Sequence, residues 1–161
     1  MAPAKTIYIP SLDAFPLPTA AICLRWCIHS LFICAQPISM IATSEAFLTG
    51  LKAGLSMETI VEVVGTSSGN TWVHQNHFPN TVLKNQHEPG FMLDLMYKDI
   101  GLALALADEV GVPVPVAGLA RQVYQSGRTA GLGRKDFSVV WKHMAKAAGV
   151  HRPASPSNDA E

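Results

Sequence analysis

The stretch that most limits what this chain can become runs from Phe91 to Gly111, FMLDLMYKDIGLALALADEVG. Between Met92 and Val110 it has no proline, few β-branched residues and many Leu, Met and Ala, all good helix formers. Gly111 stands where a left-handed cap is wanted, and Pro113 follows as a stop. At about 1.5 Å per residue the predicted helix is roughly 28 Å long, enough to cross a small domain. Its second half, Ile100 to Ala107, is apolar on every side, which predicts a buried central helix. A Lys98–Asp99 pair interrupts it just before that half. Charge beside the most buried turn is either a paired structural device or part of a site. Asp94 lies one turn before Lys98 on the same face and is the expected ion partner, whereas Asp99 points about 100° away.

The rest of the chain reads as helices packed around this one. Residues Ile38 to Gly54 place Ile38, Ile41, Ala42, Glu45, Phe47 and Leu48 at helical intervals. Ser56 is the expected N-cap of a second helix, METIVEVVG, with Glu58 in its first turn. Residues 66–70, TSSGN, form a small polar break. Trp72 to Asn85 predicts a short helix and then an irregular segment. His74, His77 and His87 have no acidic or cysteine partner at ligand spacing, so they read as exposed loop histidines rather than metal ligands.

Beyond the central helix, Pro115 opens a helix from Val114 to Thr129 with an apolar face of Val116, Leu119, Ala120, Val123 and Tyr124. Gly127, Gly131 and Gly133 are expected to loosen the turn that follows. Gly131–Leu132–Gly133 lacks a third glycine and a preceding strand, so it does not read as a phosphate loop. Asp136 is the expected N-cap of a last helix, FSVVWKHMAKAAG, burying Val140, Trp141 and Met144. The tail, residues 151–161, has the composition of disorder. No segment alternates as a strand does, and the predicted fold class is all-α, a single helical domain over residues 37–150.

Residues 1–36 are unlike the rest. Pro3, Pro10, Pro16 and Pro18 predict irregular structure from Met1 to Thr19, and Ala20 to Gln36 is apolar but broken by Arg25 and His29. That run is a marginal membrane span, because a central Arg is costly, and a poor signal peptide. Cys23, Cys27, His29 and Cys34 are zinc-type ligands at a spacing that matches no usual finger. The reading adopted is an atypical apolar extension. An odd, clustered set of three cysteines is no disulfide framework and fits a reducing intracellular compartment, cytoplasmic or mitochondrial. Twelve basic and twelve acidic residues cancel without a basic run, which argues against nucleic acid as a partner. With 15% of residues charged and 48% hydrophobic, the chain is apolar for a small monomer, so either it buries surface against a partner or one segment is unusual.

Four pieces, ISMIATSEAF at 38–47, TSSGNTW at 66–72, FMLDLMYKDIGLALALADEVGVPVPV at 91–116 and GLGRKDFSVV at 131–140, resemble in order and spacing the C-terminal domain of the β-hydroxyacid dehydrogenases. This family includes 3-hydroxyisobutyrate dehydrogenase and tartronate semialdehyde reductase and is related to 6-phosphogluconate dehydrogenase. The resemblance implies a helical domain that closes over NAD or NADP, helps shape the pocket for a small hydroxy acid and forms the interface of a dimer or larger homo-oligomer. It implies that Lys98, in the K-D motif, is a cofactor-binding residue reaching toward the nicotinamide end. Asp99 is the motif's second residue, read as structural, and Ser68–Gly69 match a polar turn with no ligand role carried over.

Two parts of the family pattern do not appear in these 161 residues. The glycine-rich fingerprint of the Rossmann domain is one. The other is the catalytic Lys with its Asn one turn later: that register falls at His29, with Phe32 and Ile33 in the Asn positions. Neither Phe nor Ile can hydrogen-bond a substrate hydroxyl, so no catalytic residue is assigned, and the expectation is a truncated or misjoined product inactive alone. The rival expectation is a helical dimerisation or interaction module with no chemistry; a third is a membrane-anchored helical protein using Ala20 to Gln36.

Overall fold

A computed structural model describes residues 17–150, with side chains described from Ala35 onward. Its helices are α1 (Leu17–Lys52), α2 (Met57–Gly65), a π-turn (Val73–His77) running into α3 (Phe78–Thr81), α4 (Leu93–Glu109), α5 (Pro115–Thr129), a 3-10 turn (Phe137–Val139) and α6 (Val140–Ala147). Among the described residues the only extended pairing is an isolated antiparallel bridge between Met92 and Asp136. The domain is all-α. The expected helix at 92–110 is present within a residue at each end, as is the second helix, whose N-cap Ser56 Oγ accepts from Thr59 N at 3.1 Å.

The first helix departs from expectation. It does not begin after Pro37 but runs from Leu17 through it, so the irregular reading fails for residues 17–19 and the apolar extension is continuous with the first helix of the domain. A proline inside a helix removes one hydrogen bond and crowds the preceding turn. Here that local cost is offset by burial at and after it: Pro37, Met40, Ile41, Ser44, Phe47 and Leu48 form the stripe facing the core. Ala42 and Glu45, expected on that stripe, are exposed. Ser44 is tolerated at zero exposure because its Oγ donates to the Met40 carbonyl at 2.7 Å. The expected irregular Met1–Pro16 segment and disordered 151–161 tail lie outside the described residues.

Three elements meet in an aromatic ladder. Phe47 of α1 stands edge-on to Phe78 of α3 at 4.8 Å, and Phe78 edge-on to Trp141 of α6 at 5.2 Å. Helix α4 crosses beneath, burying Leu93, Met96, Ile100, Ala103 and Ala107. It is not buried all round, as its composition suggested. Leu95, Leu102 and Val110 of its outer side are exposed, and so are Val112, Val116 and Leu119 beyond it. The buried face of α5 is likewise rotated from the expected one: Ala117, Ala120, Tyr124 and Gly127 face inward, while Val116 and Leu119 face out. Small residues win the inner face because α5 lies close to α4. Gly127 sits inside the helix rather than in the turn after it, and a Cβ there would stand 3.1 Å from Leu93 Cδ1.

The segment 131–136 closes the domain over the start of α4. Gly131, at φ +79°, takes the left-handed position after α5. Met92 offers α4 no side-chain cap, so its first amide groups need other acceptors. Leu93 N donates to Lys135 O at 2.9 Å and Asp94 N to Gly133 O at 3.0 Å. A Cβ at Gly133 would lie 2.6 Å from Asp94 Cγ, so a side chain there would push the Asp94 carboxylate aside.

Candidate functional site

Lys98 lies on the outer side of α4 with its side chain 60% exposed, and its ammonium pairs with Asp99 Oδ1 at 2.8 Å. The expected partner, Asp94, is engaged elsewhere: Arg128 Nε donates to its Oδ1 at 2.6 Å. The helix-face argument failed because a lysine stem is long enough to wrap sideways, and because α5 brings a guanidinium to Asp94 first. Asp99 has only 8% of its side chain exposed, so Lys98 is the wet half of a pair whose other half is buried. Beside it, Tyr97 carries the guanidinium of Arg121 over its ring at 4.2 Å and that of Arg128 at 4.3 Å. The charged surface of α4 is thus a cationic ridge with two carboxylates set into it.

A second polar centre lies at Asp136, 1% exposed. As expected it caps the last helical segment, its Oδ1 accepting from Ser138 N at 3.0 Å. The same oxygen accepts from His77 Nε2 at 2.9 Å, and Oδ2 accepts from Phe91 N at 3.1 Å. Burial alone would raise its pKa; the bonds from His77, Ser138 and Phe91 outweigh it and lower the pKa to about 2. His77 is sandwiched between Phe137 (4.5 Å, 18°) and Trp72 (6.3 Å, 25°).

The histidines are therefore not exposed loop residues. His74 and His87 are buried, and His77 is partly so. His74 Nδ1 meets Asn70 Oδ1 at 2.9 Å, and its pKa is lowered by burial. His87 Nδ1 meets Ser138 Oγ at 3.0 Å, and burial, with Lys142 nearby, lowers its pKa to about 4. Reading them as loop residues missed that a π-turn and a closing segment fold over them. Among the described residues no three His, Cys, Asp or Glu side chains stand together to hold a metal. Within the polar break, Gly69 N donates to Ser67 Oγ at 3.3 Å and Asn70 Nδ2 to Gly65 O at 2.8 Å, so the turn is built from its own bonds. The side chains of Cys23, Cys27, His29, Phe32, Ile33 and Cys34 lie outside the described residues. No helix among the described residues is long and apolar enough to cross a membrane.

The profile described as the NAD-binding domain of NADP-dependent 3-hydroxyisobutyrate dehydrogenase matches residues 34–144. This chain belongs to the 3-hydroxyisobutyrate dehydrogenase family. Relatives include 2-(hydroxymethyl)glutarate dehydrogenase of Eubacterium barkeri, 38% identical over 112 residues, covering 70% of this chain and 37% of that protein. Mitochondrial 3-hydroxyisobutyrate dehydrogenase of Drosophila melanogaster is 36% identical over 115 residues, covering 68% and 36%. Among solved structures, 3-hydroxyisobutyrate dehydrogenase from Salmonella typhimurium superposes with a TM-score of 0.67 at 27% identity, over 72% of this chain and 40% of that one. The chain spans little more than a third of the length of the curated relatives it matches.

A nicotinamide dinucleotide needs donors for its pyrophosphate as well as contacts at its nicotinamide end. The described residues fit the second requirement and not the first. Lys98 offers an exposed cation on a rigid helix. The one G-x-G turn is committed to capping, with the Asp94 carboxylate against it, and a carboxylate repels phosphate.

Proposed function

We propose that residues 37–150 serve as the NAD(P)-binding and substrate-pocket domain of a 3-hydroxyisobutyrate dehydrogenase-like oxidoreductase acting on a small hydroxy acid. Lys98 is the residue that reaches the cofactor, NAD or NADP. The observation that carries this reading is the coincidence of the family match over residues 34–144 with an exposed Lys98, held by Asp99, on the family's K-D motif. The cofactor supplies the hydride acceptor when bound. The chain's own part is to present a cation beside it and to wall off the substrate from water. In this reading the pyrophosphate turn and the proton acceptor belong to a Rossmann domain, and the chain by itself is expected to turn nothing over. The homo-oligomer proposed for it uses the apolar outer side of α4 and α5.

The test joins this chain to the Rossmann domain of a relative and titrates NADH by its fluorescence. Lys98→Ala is expected to weaken binding about tenfold while melting at nearly the same temperature. Unchanged NADH affinity in that variant overturns the assignment of Lys98. A second reading, a helical dimerisation module with no chemistry, is favoured by the exposed row Leu95, Leu102, Val112, Val116 and Leu119. A sedimenting dimer whose joined form has no measurable dinucleotide affinity would decide for it.

A further inference from the structure

Two arginines of α5, Arg121 and Arg128, hold their guanidinium groups over one ring, that of Tyr97 in α4, at 4.2 and 4.3 Å from its centre. Their partners differ. Arg128 is engaged twice more, its Nε donating to Asp94 Oδ1 and its Nη1 to Gln125 Oε1. Arg121 has no carboxylate and no hydrogen bond among the described residues, and its Nε is shut off from water without an acceptor. Its place is nevertheless a built one. Gly101, inside α4, lies beneath it: a Cβ there would stand 3.3 Å from both Nε and Nη2 of Arg121. Glycine inside a helix is destabilising relative to alanine, and the missing methyl is the room the guanidinium occupies. With Nε closed in, the edge open to a ligand is the one carrying Nη1 and Nη2. Two donors on a fixed plane match the two oxygens of an oxyanion.

We propose that Arg121, seated between Tyr97 and Gly101 where α4 meets α5, binds an oxyanion, and that this ligand is a small free carboxylate. The charge of the site sets the class. Arg128 is balanced by Asp94 and Lys98 by Asp99, which leaves Arg121 with one uncompensated positive charge. Attraction to that charge doubles for a doubly charged ligand, while the cost of taking the ligand out of water rises with the square of its charge. A carboxylate therefore fits better than a phosphate dianion. Tyr97 and Arg121 are both half-buried, which suits a small ion better than the acidic side chain of a docked protein. Binding of such an ion does not depend on the cofactor role of Lys98.

The test follows two NMR signals of the full chain, the Arg121 Nε–H and the Gly101 backbone amide, assigned by their loss in Arg121→Lys and Gly101→Ala. Sodium acetate, and in a second series sodium phosphate at a pH where it carries two charges, replaces sodium chloride at constant ionic strength. Acetate is expected to move both signals along a saturating curve, and phosphate to bind about threefold more weakly or worse. The buried Trp141 indole should stay still and report that the fold is intact. Arg121→Lys keeps the charge and loses the fork, so acetate affinity read at Gly101 should fall about tenfold. Gly101→Ala lifts the guanidinium off its floor and should weaken acetate severalfold, read at Arg121. A drift without saturation, a tighter fit for phosphate, or an undiminished titration in Arg121→Lys would overturn the proposal. Loss of the acetate response in Lys98→Ala would place the ion on Lys98 and overturn it too. Should Gly101→Ala fail to fold, Arg121→Lys decides alone.

Discussion

Two carboxylate centres of opposite kind stand among the described residues. On α4, Asp94 meets Arg128 at the surface, and the exposed Lys98 pairs with a buried Asp99. At the closing segment, Asp136 is buried and gathers donors from His77, Phe91 and Ser138. The cations of the first centre, Lys98 and Arg128, reach water, and pairs with a solvated cation contribute little. The second replaces water altogether, so every bond lost there leaves a buried group unsatisfied. The surface centre is therefore open to function at small cost to the fold, while the buried one joins three parts of the chain that lie far apart in sequence.

The largest effect that would sharpen this contrast is Asp136→Ala. It strands two backbone amides and an imidazole in the interior and is expected to cost about 3–5 kcal/mol by urea unfolding. Asp136→Asn keeps only one of the two acceptor oxygens, setting its NH2 against the Phe91 amide, and should cost about 2–3 kcal/mol. A loss below 1 kcal/mol in the alanine variant would show that water reaches this centre, and the contrast would fail.

Next in size is the acid response. His87 has its pKa lowered from 6.5 to about 4, so below pH 6.5 the unfolded chain takes up a proton that the folded chain refuses. Stability should fall as pH drops from 6.5 to 4, by about 2–3 kcal/mol. His87→Gln should flatten that slope. Asp136, lowered from 3.8 to about 2, is ionised in the fold where the unfolded chain is not, and adds a second loss below about pH 4. A slope over pH 6.5–4 that survives in His87→Gln would place the response elsewhere.

The smallest effect is at the surface. Lys98→Ala removes the wet half of its pair and should cost under about 1 kcal/mol. A larger loss would make Lys98 structural and erase the difference between the two centres.

How much of this was readable from residues alone differs between the same two places. The helix over 92–110 was legible because composition, a glycine stop and a following proline all agreed. Asp136 was legible as a cap, since an Asp two residues before Ser138 closes a local turn. Its bonds to His77, 59 residues away, and to Phe91, 45 away, have no local signature. The partners of Lys98 and Asp94 were misread for a related reason: helical spacing says which side chains share a face, not which neighbouring helix arrives with an arginine. Pro37 misled because a breaker is a local preference, and core burial on its own helix outweighed it. The same limit rotated α5, where the deciding fact was how near α4 lies.

The π-turn at Val73–His77 holds one residue more than an α-helix would need between the same ends. Such a turn is what a single-residue insertion leaves in a helix. Removing one residue from it would turn whatever precedes it by about 100°, carrying Trp72 off His77. The direction of the indole is thus written in the length of the chain at this point rather than in the identity of any side chain. A chain one residue shorter there would keep Trp72, His77 and Asp136 unchanged and still lose the stack.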